Sequence, residues 1–548
     1  INFIGIGEVL FSKSDSKNLE LAYACTVHKC ITDDTWLFTS NGLMQLKEFN
    51  NNASIGEQKI LTTNVDVFNG KELERPIKFY NAGESECKEI TTENGYKIAA
   101  TLDHGVDVLD TDGYIKKKYV KDITSDDYLI IVPGSDVYGN NINLPKSWGI
   151  DTSKLDVRSK IFNTPNILTL KFARFLGYMV ADGVVCKSGI KYGKNHKNVV
   201  DDFNRLVYEI FGYTAKSPKQ VLPNGSMGGM WLSEISSRFI SEYCKTIDGI
   251  QPHNKYVPDI ILKAPKEFQI EFLKGVFEDG SVCVKKDKFD HISFTAKEEL
   301  LVDQINMMLL NIGIITSKYH RKKPESYTLF LYGSNCDKFI KNIGFISDVK
   351  REKSMKYYNH RLEVSYKAIP YVKKIVLQII DECNIDTKTL SKELNIHLER
   401  KNITYNMIKK FVEYCHKYNI DNSKLEYLLY VSRLSVQKIK SITRKVEHTY
   451  CLEMPKTHKF VQNGIQGYNC QGSGFTSTIV GMDTSSYIMN NSELLYTAIT
   501  RAKKYCVLVG NNYAIRKAIQ TKEVKTKQTF LKDMLLENAY RLKNEKGE

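Results

Sequence analysis

Two cysteines and one asparagine carry the side chains that are needed to break and remake a peptide chain. Cys30 begins a long internal segment, and Asn469 followed by Cys470 ends it. A thiol can attack the preceding carbonyl, an asparagine amide can cyclise and cut the bond that follows it, and a second thiol can receive the upstream chain. Joining residues 1–29 to 470–548 also gives continuous text, HKCQG, at the junction. These residue types predict that the segment 30–469 can remove itself.

The stretches beside these residues are typical of short β-strands joined by tight turns. Between residue 31 and about residue 135, alternating runs are separated by dipeptides that form hairpin turns. These dipeptides are Asn41-Gly42, Asn69-Gly70, Asn94-Gly95 and Asp112-Gly113. The segment 95–109 predicts a strand, a polar break and a strand, and 438–470 is again strand-like, with a turn at Asn463-Gly464. Because both bonds must be cut at one site, the two ends of the segment are expected to lie side by side.

The polar break contains Thr101 and His104 at the spacing T-x-x-H. With the residues already named and His458, this pattern resembles the Hint fold of inteins and hedgehog autoprocessing domains. The resemblance implies that Cys30 attacks the carbonyl of Lys29 to form a thioester. It implies that His104, supported by Thr101, protonates the departing amide nitrogen.

The same resemblance assigns the later steps. Cys470 takes over the thioester, Asn469 cyclises to a succinimide, and a shift of the acyl group from sulfur to nitrogen leaves a peptide bond between Lys29 and Cys470. No cofactor is expected for this splicing chemistry.

Two positions depart from the pattern that the resemblance implies. The residue before the asparagine is Tyr468 where the family usually has histidine, and Cys451 stands where an aspartate is usual. A tyrosine with a reference pKa of about 10 is a poor base near pH 7. We therefore expect His458 to assist Asn469 more strongly, and we expect cleavage after Asn469 to be slow.

Two similar segments recur inside the interruption, FARFLGYMVADGVV (172–185) and FQIEFLKGVFEDGSV (268–282). Each is an apolar helix that ends in an acidic residue and glycine, and the repeat predicts two related half-domains. Both segments resemble the motif helices of LAGLIDADG homing endonucleases. The resemblance implies that Asp182 and Asp279 bind Mg²⁺ for hydrolysis of double-stranded DNA and that Lys255 lies near them.

The second of these motifs is one residue shorter than the first. Gly177 to Gly183 spans six positions, whereas Gly275 to Gly280 spans five. One residue fewer turns a helix by about 100°. Three interpretations stay open: the helix end rearranges, Glu278 replaces Asp279 in the site, or this half is inactive.

Two further regions of the interruption have a recognisable pattern. Residues 316–333 interleave basic and aromatic side chains, which is consistent with contacts to a DNA backbone. Residues 360–437 have apolar positions at helical spacing and predict a small helical bundle.

The flanking pieces carry a different pattern. Joined together, they contain HKCQG at the junction and YTAITRA later, at 496–502. These motifs resemble the C-terminal RecA-like domain of UvrD/RecD-type superfamily 1 helicases. The resemblance implies that Arg501 faces the γ-phosphate of ATP and that Gln471 and Thr26 couple ATP to DNA. A helix from Leu494 to Lys504 and a buried strand from Tyr505 to Val509 are expected.

The chain has no Walker A loop. The nearest candidate, SGIKYGKN (188–195), has the wrong spacing and no serine or threonine after Lys194. ATP is therefore expected to act only in the complete spliced helicase, together with helicase domains that this sequence does not contain.

Composition narrows the setting of the protein. The length of 548 residues favours several domains. The net charge of +15 and the pI near 9.0 favour a polyanionic partner. The twelve cysteines form no C-x-x-C pair, so no zinc site or disulfide framework is predicted. Free thiols at 30 and 470 suit a reducing cytosol, so a cytoplasmic location is expected. No run of about 18 apolar residues occurs, so no membrane span is expected. A monomer is expected.

These observations predict a multidomain α+β chain. It has a β-rich Hint domain, an inserted two-repeat LAGLIDADG α/β endonuclease, a small helical region, and flanking split RecA-like α/β helicase pieces. The expected boundaries are 1–29, 30–150, 165–355, 360–437, 438–469 and 470–548.

Two rival interpretations stay open. The first is a helicase with a non-splicing DNA-binding insertion and an inactive nuclease, which Tyr468 and Cys451 favour. The second is a DNA-binding protein with an inactive nuclease, which the shortened second motif permits.

Overall fold

The chain divides into two compact units, one made of residues 28–470 and the other of residues 1–27 with 471–548. Both divisions lie within two residues of the predicted junctions. The computed structural model describes residues 29–50, 52–55, 57–152, 155, 159–221, 229–285, 288–356, 368–394, 402–469, 475–482, 495 and 502–520. The predicted site residues Cys470, Gln471 and Arg501, and Thr26 with them, lie outside the described residues.

The first part of the larger unit is almost entirely β structure. Its strands are β1 (Ile31–Thr32), β2 (Trp36–Thr39), β3 (Gly42–Gln45), β4 (Gln58–Ile60), β5 (Val67–Phe68), β6 (Leu73–Glu74), β7 (Lys78–Thr92), β8 (Lys97–Thr101), β9 (Gly105–Leu109), β10 (Ile115–Tyr119) and β11 (Tyr128–Ile131). Short 3₁₀ helices cover Leu46–Phe49, Val120–Asp122 and Lys146–Trp148. The strand, break and strand predicted for 95–109 are confirmed as β8 and β9.

The middle part alternates helices with antiparallel strands. Its elements are α1 (Leu170–Ala181), β12 (Val184–Cys186), β13 (Gly189–Lys194), α2 (Lys197–Phe211), β14 (Lys219–Val221), β15 (Met230–Ile235), α3 (Arg238–Thr246), β16 (Ile250–Gln251), β17 (Asn254–Lys255), α4 (Asp259–Leu262), α5 (Lys266–Val276), β18 (Ser281–Lys285), β19 (Lys288–Ala296), α6 (Glu299–Asn311), β20 (Ser317–Lys322), β21 (Glu325–Tyr332), α7 (Ser334–Asn342) and α8 (Asp348–Met355). The two four-stranded sheets run β12-β13-β15-β14 and β18-β19-β21-β20. Their identical strand order confirms the two related half-domains that the repeat predicted.

The remaining elements complete both units. They are β22 (Ala368–Ile369), α9 (Lys373–Glu382), α10 (Thr387–Leu394), β23 (Ile403–Thr404), α11 (Tyr405–Lys417), α12 (Lys424–Val431), β24 (Ser435–Glu453), β25 (Lys459–Gln462), β26 (Ile465–Tyr468), β27 (Phe475–Met482), β28 (Ala502–Gly510) and α13 (Asn512–Gln520). The small helical region between the endonuclease-like part and β24 is present as predicted, with a two-stranded pair added.

One large sheet brings the two ends of residues 30–469 together. Its order is β10-β9-β26-β11-β24-β1-β8-β7-β4, and β25 pairs with β26. β1, which follows Cys30, lies between β8 and the returning strand β24, and β26, which precedes Asn469, lies between β9 and β11. The long strand β24 pairs with β11 near its start and with β7 and β1 further along. The chain that returns after the insertion therefore closes the sheet that the first part began.

The β domain and the insertion also share one continuous apolar core. An ion-pair network joins them: Glu299 on α6 lies 2.7 Å from both Lys97 on β8 and Lys318 on β20. Backbone contacts add to it, because Gly134 donates a hydrogen bond to the Leu310 carbonyl at 2.8 Å.

The smaller unit shows a parallel strand pair, β27 with β28, in the described part of the flanks. A parallel pair is the feature expected of an α/β layer. The predicted end of the preceding helix was wrong: Ala502 to Lys504 belong to β28, so the strand begins three residues before Tyr505. The sequence of β28 does not alternate between polar and apolar residues, so its period gave no sign of where the strand begins. The pairing with β27 extends over these residues.

Among the helices that the structure describes, none has the length and apolar character required to span a bilayer.

The contact between α1 and α5 is made at two glycines. A Cβ on Gly275 would lie 2.6 Å from the Arg174 carbonyl oxygen, and a Cβ on Gly177 would overlap the Phe272 carbonyl oxygen. Only glycine lets the two backbones approach this closely. The acidic residues that follow each helix are thereby brought to one place.

We expect Gly275→Ala to push α1 and α5 apart, because the new methyl group meets backbone atoms that cannot rotate away. The free energy of unfolding should fall by about 1–3 kcal/mol, and any DNA cleavage should fall with it. Glu267→Ala, at an exposed position of α5, is the matched control and should change the stability by less than about 0.5 kcal/mol. Chemical denaturation measures both; equal effects would contradict the close contact.

Candidate functional site

The carbonyl oxygen and the nitrogen of the peptide group between Lys29 and Cys30 are each held by a side chain, one from β8 and one from the break after it. The Cys30 N–H donates to Thr101 Oγ1 at 2.9 Å, and His104 Nδ1 lies 3.0 Å from the Lys29 carbonyl oxygen. Thr101 also binds the Cys30 carbonyl, through its N–H at 3.0 Å and its hydroxyl at 3.3 Å. Cys30 is fully buried. The structure thus brings together three residues that the sequence predicted, at the first bond to be cut.

The contact of His104 differs from the predicted one. The resemblance implied that His104 acts on the amide nitrogen, whereas here the ring lies against the carbonyl oxygen and Thr101 lies against the nitrogen. A donor at the carbonyl oxygen polarises the carbonyl and stabilises the oxyanion that forms on attack by sulfur. The backbone of His104 is fixed by Val120 N–H, which donates to its carbonyl at 2.9 Å.

At the other end, Asn469 is buried and held at two points. Its N–H donates to the His458 carbonyl at 3.0 Å, and its side-chain Nδ2 donates to the Met454 carbonyl at 2.9 Å. His458 Nδ1 lies 2.8 Å from the same Met454 carbonyl oxygen. His458 and Asn469 therefore meet at one carbonyl oxygen, which fixes the position of the Asn469 side-chain amide.

Tyr468 contacts a buried carboxylate that sequence reasoning missed. Its hydroxyl donates to Asp107 Oδ1 at 2.8 Å, and Lys459 Nζ lies 2.8 Å from Asp107 Oδ2. Asp107 is 2% exposed and lies on β9, where every residue is buried. An acidic residue within an apolar strand was the available signal, because a buried charge needs partners.

Burial raises the pKa of Tyr468 well above its usual value, and the charge of Asp107 adds to the increase. The phenol therefore stays protonated near neutral pH and donates a hydrogen bond. It cannot accept a proton during cyclisation of Asn469.

We expect Tyr468→His to accelerate cleavage after Asn469 by about 10²-fold, because an imidazole that titrates near pH 7 can act as acid and base. Asp107 would accept the hydrogen bond of the new ring as it does that of the phenol. The release of residues 470–548 over time, measured in a Cys30→Ala background, gives the rate. Tyr468→Phe is the control and should show no acceleration; an unchanged rate in Tyr468→His would contradict a role for this position.

Cys451, the other departure from the pattern, is buried on β24. Its Sγ donates weakly to the Leu452 carbonyl at 3.4 Å.

In the insertion, the two predicted acidic residues meet at one lysine. Lys194 Nζ at the end of β13 bonds to Asp182 and lies 2.6 Å from Asp279 Oδ1. The Lys194 side chain is only 10% exposed. The structure therefore places Asp182 and Asp279 together at Lys194, which the sequence pattern did not single out as a site residue.

The shortened second motif is accommodated by a change at the end of α5. After Val276 the chain continues in tight turns, with the N–H of Asp279 donating to the Val276 carbonyl at 3.0 Å. The Glu278 side chain is buried and accepts from the N–H of Ile346 at 2.5 Å, away from Asp182. The helix end therefore rearranges, as the first interpretation had it, and Glu278 does not replace Asp279 as the second had it; the third interpretation, an inactive half, concerns activity and is left to the cleavage experiment.

A lysine lies beneath each acidic residue. Lys255 Nζ donates to the carbonyls of Ala181 at 2.9 Å and Gly183 at 3.0 Å. Lys350 Nζ does the same in the second half, to Glu278 at 2.6 Å and Gly280 at 2.7 Å. Lys255 was predicted. Lys350 was missed, although the repeat spacing of 97 residues between Asp182 and Asp279 placed a counterpart of Lys255 near it.

The charges at this centre shift one another's pKa values. Burial raises the pKa of Asp182, but the adjacent Lys194 more than offsets this, so its pKa is lowered overall. Burial raises the pKa of Asp279, and the charge of Asp182 adds to the increase although Lys194 opposes it. Burial lowers the pKa of both Lys255 and Lys350.

The donor set suits a hard divalent cation. Two carboxylates already share one positive group, Lys194 Nζ, and carboxylate oxygens are the ligands that Mg²⁺ prefers. A cavity of about 210 Å³ opens beside them, lined also by Lys255, Lys297 and Glu298. These residues fit a metal ion of this kind.

Comparisons with known proteins bear on the whole chain. The family model of the intein splicing domain matches residues 37–469, and that of the UvrD-like helicase C-terminal domain matches residues 465–509. A glutamine–fructose-6-phosphate aminotransferase (isomerizing) of Methanocaldococcus jannaschii is 22% identical over 463 residues, which are 77% of this chain and 40% of that protein. A DNA polymerase of Pyrococcus horikoshii is 26% identical over 152 residues, 28% of this chain and 10% of that protein.

The chain therefore spans less than half the length of these two curated relatives. A crystal structure of I-DmoI in complex with DNA and Mn is 17% identical; the match covers 32% of this chain and 96% of that one, with a TM-score of 0.24. The splicing-domain match covers most of the sequence, from residue 37 to the asparagine at the second junction. The chain belongs to the intein splicing domain family.

Proposed function

We propose that residues 30–469 excise themselves and join Lys29 to Cys470. The observation that carries this proposal is the grip on the first scissile amide: His104 at the Lys29 carbonyl oxygen and Thr101 at the Cys30 nitrogen. These contacts place a ring nitrogen at the carbonyl oxygen and a hydroxyl at the nitrogen of one amide, beside a buried thiol, which is the arrangement that attack by sulfur on this carbonyl requires. The family membership supports the same conclusion.

In the first step the Cys30 sulfur bonds to the Lys29 carbonyl carbon and the bond to the Cys30 nitrogen breaks. The thiol proton ends on that nitrogen, which becomes an amine. His104 stabilises the oxyanion through its Nδ1. Thr101 Oγ1 lies 2.9 Å from the Cys30 nitrogen and orients the departing amine. The product is a thioester between Lys29 and Cys30.

In the second step the Cys470 sulfur bonds to the thioester carbon and the Cys30 thiol leaves. The Asn469 Nδ2 then bonds to its own carbonyl carbon, and the bond to Cys470 breaks as that nitrogen takes the proton. Residues 30–469 leave with a C-terminal succinimide. Finally the freed amine of Cys470 displaces its own sulfur from the thioester, which gives the peptide bond.

Intact mass spectrometry of the freshly purified chain tests this proposal. We expect a ligated product of 1–29 with 470–548 beside a free 30–469 that ends in a succinimide. A stable species of 62.8 kDa as the only product would favour the rival interpretation, a helicase with a non-splicing DNA-binding insertion.

A second activity is favoured by the convergence of Asp182 and Asp279. We propose that the insertion is a DNA endonuclease that cuts a specific double-stranded site with Mg²⁺ held by these two carboxylates. The ion, when bound, would polarise a phosphodiester and lower the pKa of a water. Lys255 and Lys350 fix the two helix ends beneath the carboxylates, and Lys194 screens their mutual repulsion. Exposed basic residues on β20, such as Arg321 and Lys322, offer phosphate contacts.

Duplex DNA that encodes the joined flanks, 1–29 with 470–548, is the first substrate to try. Cutting that requires Mg²⁺ supports this activity. Binding without cutting would leave the insertion as an inactive nuclease.

For the flanks we propose that the spliced product is part of an ATP-dependent DNA helicase. The helicase match at 465–509 and the parallel pair β27–β28 support this. Arg501 would reach the γ-phosphate and Gln471 would couple ATP to the DNA strand, in the presence of the remaining helicase domains. ATP hydrolysis by the spliced product mixed with those domains, and its loss in Arg501→Ala, tests the assignment.

A further inference from the structure

His104 meets a second partner besides the scissile carbonyl. Its Nε2 lies 2.9 Å from the amide of Gln462, the last residue of β25. Gln462 is fully buried, as is His104 apart from 1% of its surface. The same imidazole therefore links the first scissile bond to the strand pair that leads to the second.

The number of protons on the His104 ring determines whether the oxygen or the nitrogen of the Gln462 amide faces it. With Gln462 Oε1 facing the ring, both nitrogens of His104 face acceptors, since the Lys29 carbonyl lies at the other one. The Gln462 Nε2 would then be a buried donor without a partner. Such donors are costly, and the oxygen and nitrogen of an amide exchange places by a rotation of 180°. With the amide turned, Nε2 donates to His104 Nε2, and the Nδ1 of the neutral ring carries the proton.

Gly467 on β26 provides independent support, because it leaves room for the amide in this place. A Cβ at residue 467 would lie 2.5 Å from Gln462 Oε1 and 2.6 Å from its Cδ and Nε2. The Gln462 amide plane thus packs against the backbone of Gly467, where a side chain would leave no room for it. Its orientation toward His104 is fixed by packing as well as by the hydrogen bond.

We propose that Gln462 is a positioning residue that holds His104 in the tautomer with a proton on Nδ1, aimed at the Lys29 carbonyl oxygen. This inference rests on the proposed splicing function. Without the Gln462 donor, a neutral His104 can place its proton on Nε2 and turn a lone pair toward the carbonyl oxygen. The oxyanion of the first step would then lose its donor.

Thiol-induced cleavage at Lys29, measured in an Asn469→Ala background that blocks cyclisation and release of residues 470–548, isolates this function. Gln462→Met keeps the volume of the side chain and removes the donor. We expect the cleavage rate to fall by about 10²-fold, the effect of losing one oxyanion donor. Gln466→Met is the matched control: Gln466 is a buried glutamine on β26 whose Nε2 donates to the Asn69 carbonyl at 2.9 Å. Equal rates in the two variants would overturn the proposal.

Gln462→Glu gives a signature that a purely structural role would not produce. A carboxylate accepts a proton from Nε2, so the neutral ring has no proton at Nδ1, whereas the doubly protonated ring keeps one there. Relative to the parent, cleavage by Gln462→Glu should therefore be retained at low pH, where the ring is doubly protonated, and lost at higher pH, where the ring is neutral. A ratio that does not change with pH would contradict the tautomer assignment.

Gln462→Glu adds one negative charge beside the ring. The ion pairs Asp103–Lys121, next to His104 in the chain, and Asp107–Lys459, on the neighbouring strands β9 and β25, are the same in parent and variant.

The tautomer can also be observed directly in a chain that cannot react. Long-range ¹H–¹⁵N correlation of the ¹⁵N-histidine-labelled Cys30→Ala/Asn469→Ala chain, with His104→Gln for assignment, should show a proton on Nδ1, and Gln462→Met should change it. A proton on Nε2 of the parent would overturn the inference. Absence of thiol-induced cleavage in the Asn469→Ala parent would instead overturn the proposed splicing function, so the two failures are distinguishable.

Discussion

Cys30→Ala is expected to abolish thioester formation, thiol-induced cleavage at Lys29 and ligation together. The Cys30 N–H donates to Thr101, and the carbonyl of the preceding residue, Lys29, faces His104. The Cys30 sulfur therefore lies beside a held peptide bond. An alanine keeps those hydrogen bonds, because they involve backbone atoms, and removes only the nucleophile. The loss should therefore be complete, with no change in folding.

The measurement is the mass spectrum of the variant with and without added thiol, and thermal unfolding confirms that the fold is kept. Cys415→Ala is a suitable control. That thiol is buried on α11, and burial raises its pKa to about 11, so it is unreactive at neutral pH. A normal ligated product from Cys30→Ala would refute the nucleophile assignment.

Removing either carboxylate at the α1–α5 contact is expected to eliminate DNA cleavage and leave splicing intact. Asp182→Asn and Asp279→Asn each keep the shape of the side chain and remove one negative charge from the pair that converges on Lys194. The rate of cutting should fall by more than about 10³-fold, the scale on which loss of a catalytic group acts. Splicing should be unchanged because neither residue contacts the bonds at Lys29 or Asn469.

Supercoiled plasmid cleavage in Mg²⁺ measures the first effect, and mass spectrometry of the same preparations measures the second. Asp259→Asn serves as the control, because Asp259 lies on α4 and pairs with Lys263 at 3.0 Å, outside the cavity. Undiminished cutting by Asp279→Asn alone would show that the second half contributes no catalytic charge.

The reactive residues of the splicing centre could be predicted from the sequence because the chemistry limits their types. Cleavage of a peptide bond by its own chain requires a nucleophile at the bond, so Cys30 and Asn469-Cys470 mark both junctions. Thr101 and His104 followed from the spacing within one strand break. Local periodicity also predicted β8, β9 and the two motif helices, because these elements carry their pattern in a few consecutive residues.

The residues that position or neutralise these reactive groups could not be predicted in this way. Asp107 and Gln462 contact Tyr468 and His104, which are 361 and 358 residues away along the chain, and Lys350 contacts a carbonyl 72 residues away. Lys194 stands out in the sequence only as part of a possible phosphate loop, which its spacing excludes. Whether such a side chain is a ligand, a counter-charge or a surface group depends on what the fold places opposite it.

The shortened second motif separates the two kinds of information most clearly. From the sequence, a missing residue left Asp279, Glu278 or neither in the site, since a rotation of about 100° per residue is all that helical geometry predicts. Packing then decided: the glycine contact fixes α5 against α1, Glu278 is buried against the start of α8, and tight turns return Asp279 to Lys194. The sequence by itself thus determined which groups could react and at which bonds. The tertiary structure alone decided which groups meet, because hydrogen bonds, burial and charge pairing act between atoms that the chain order does not bring together.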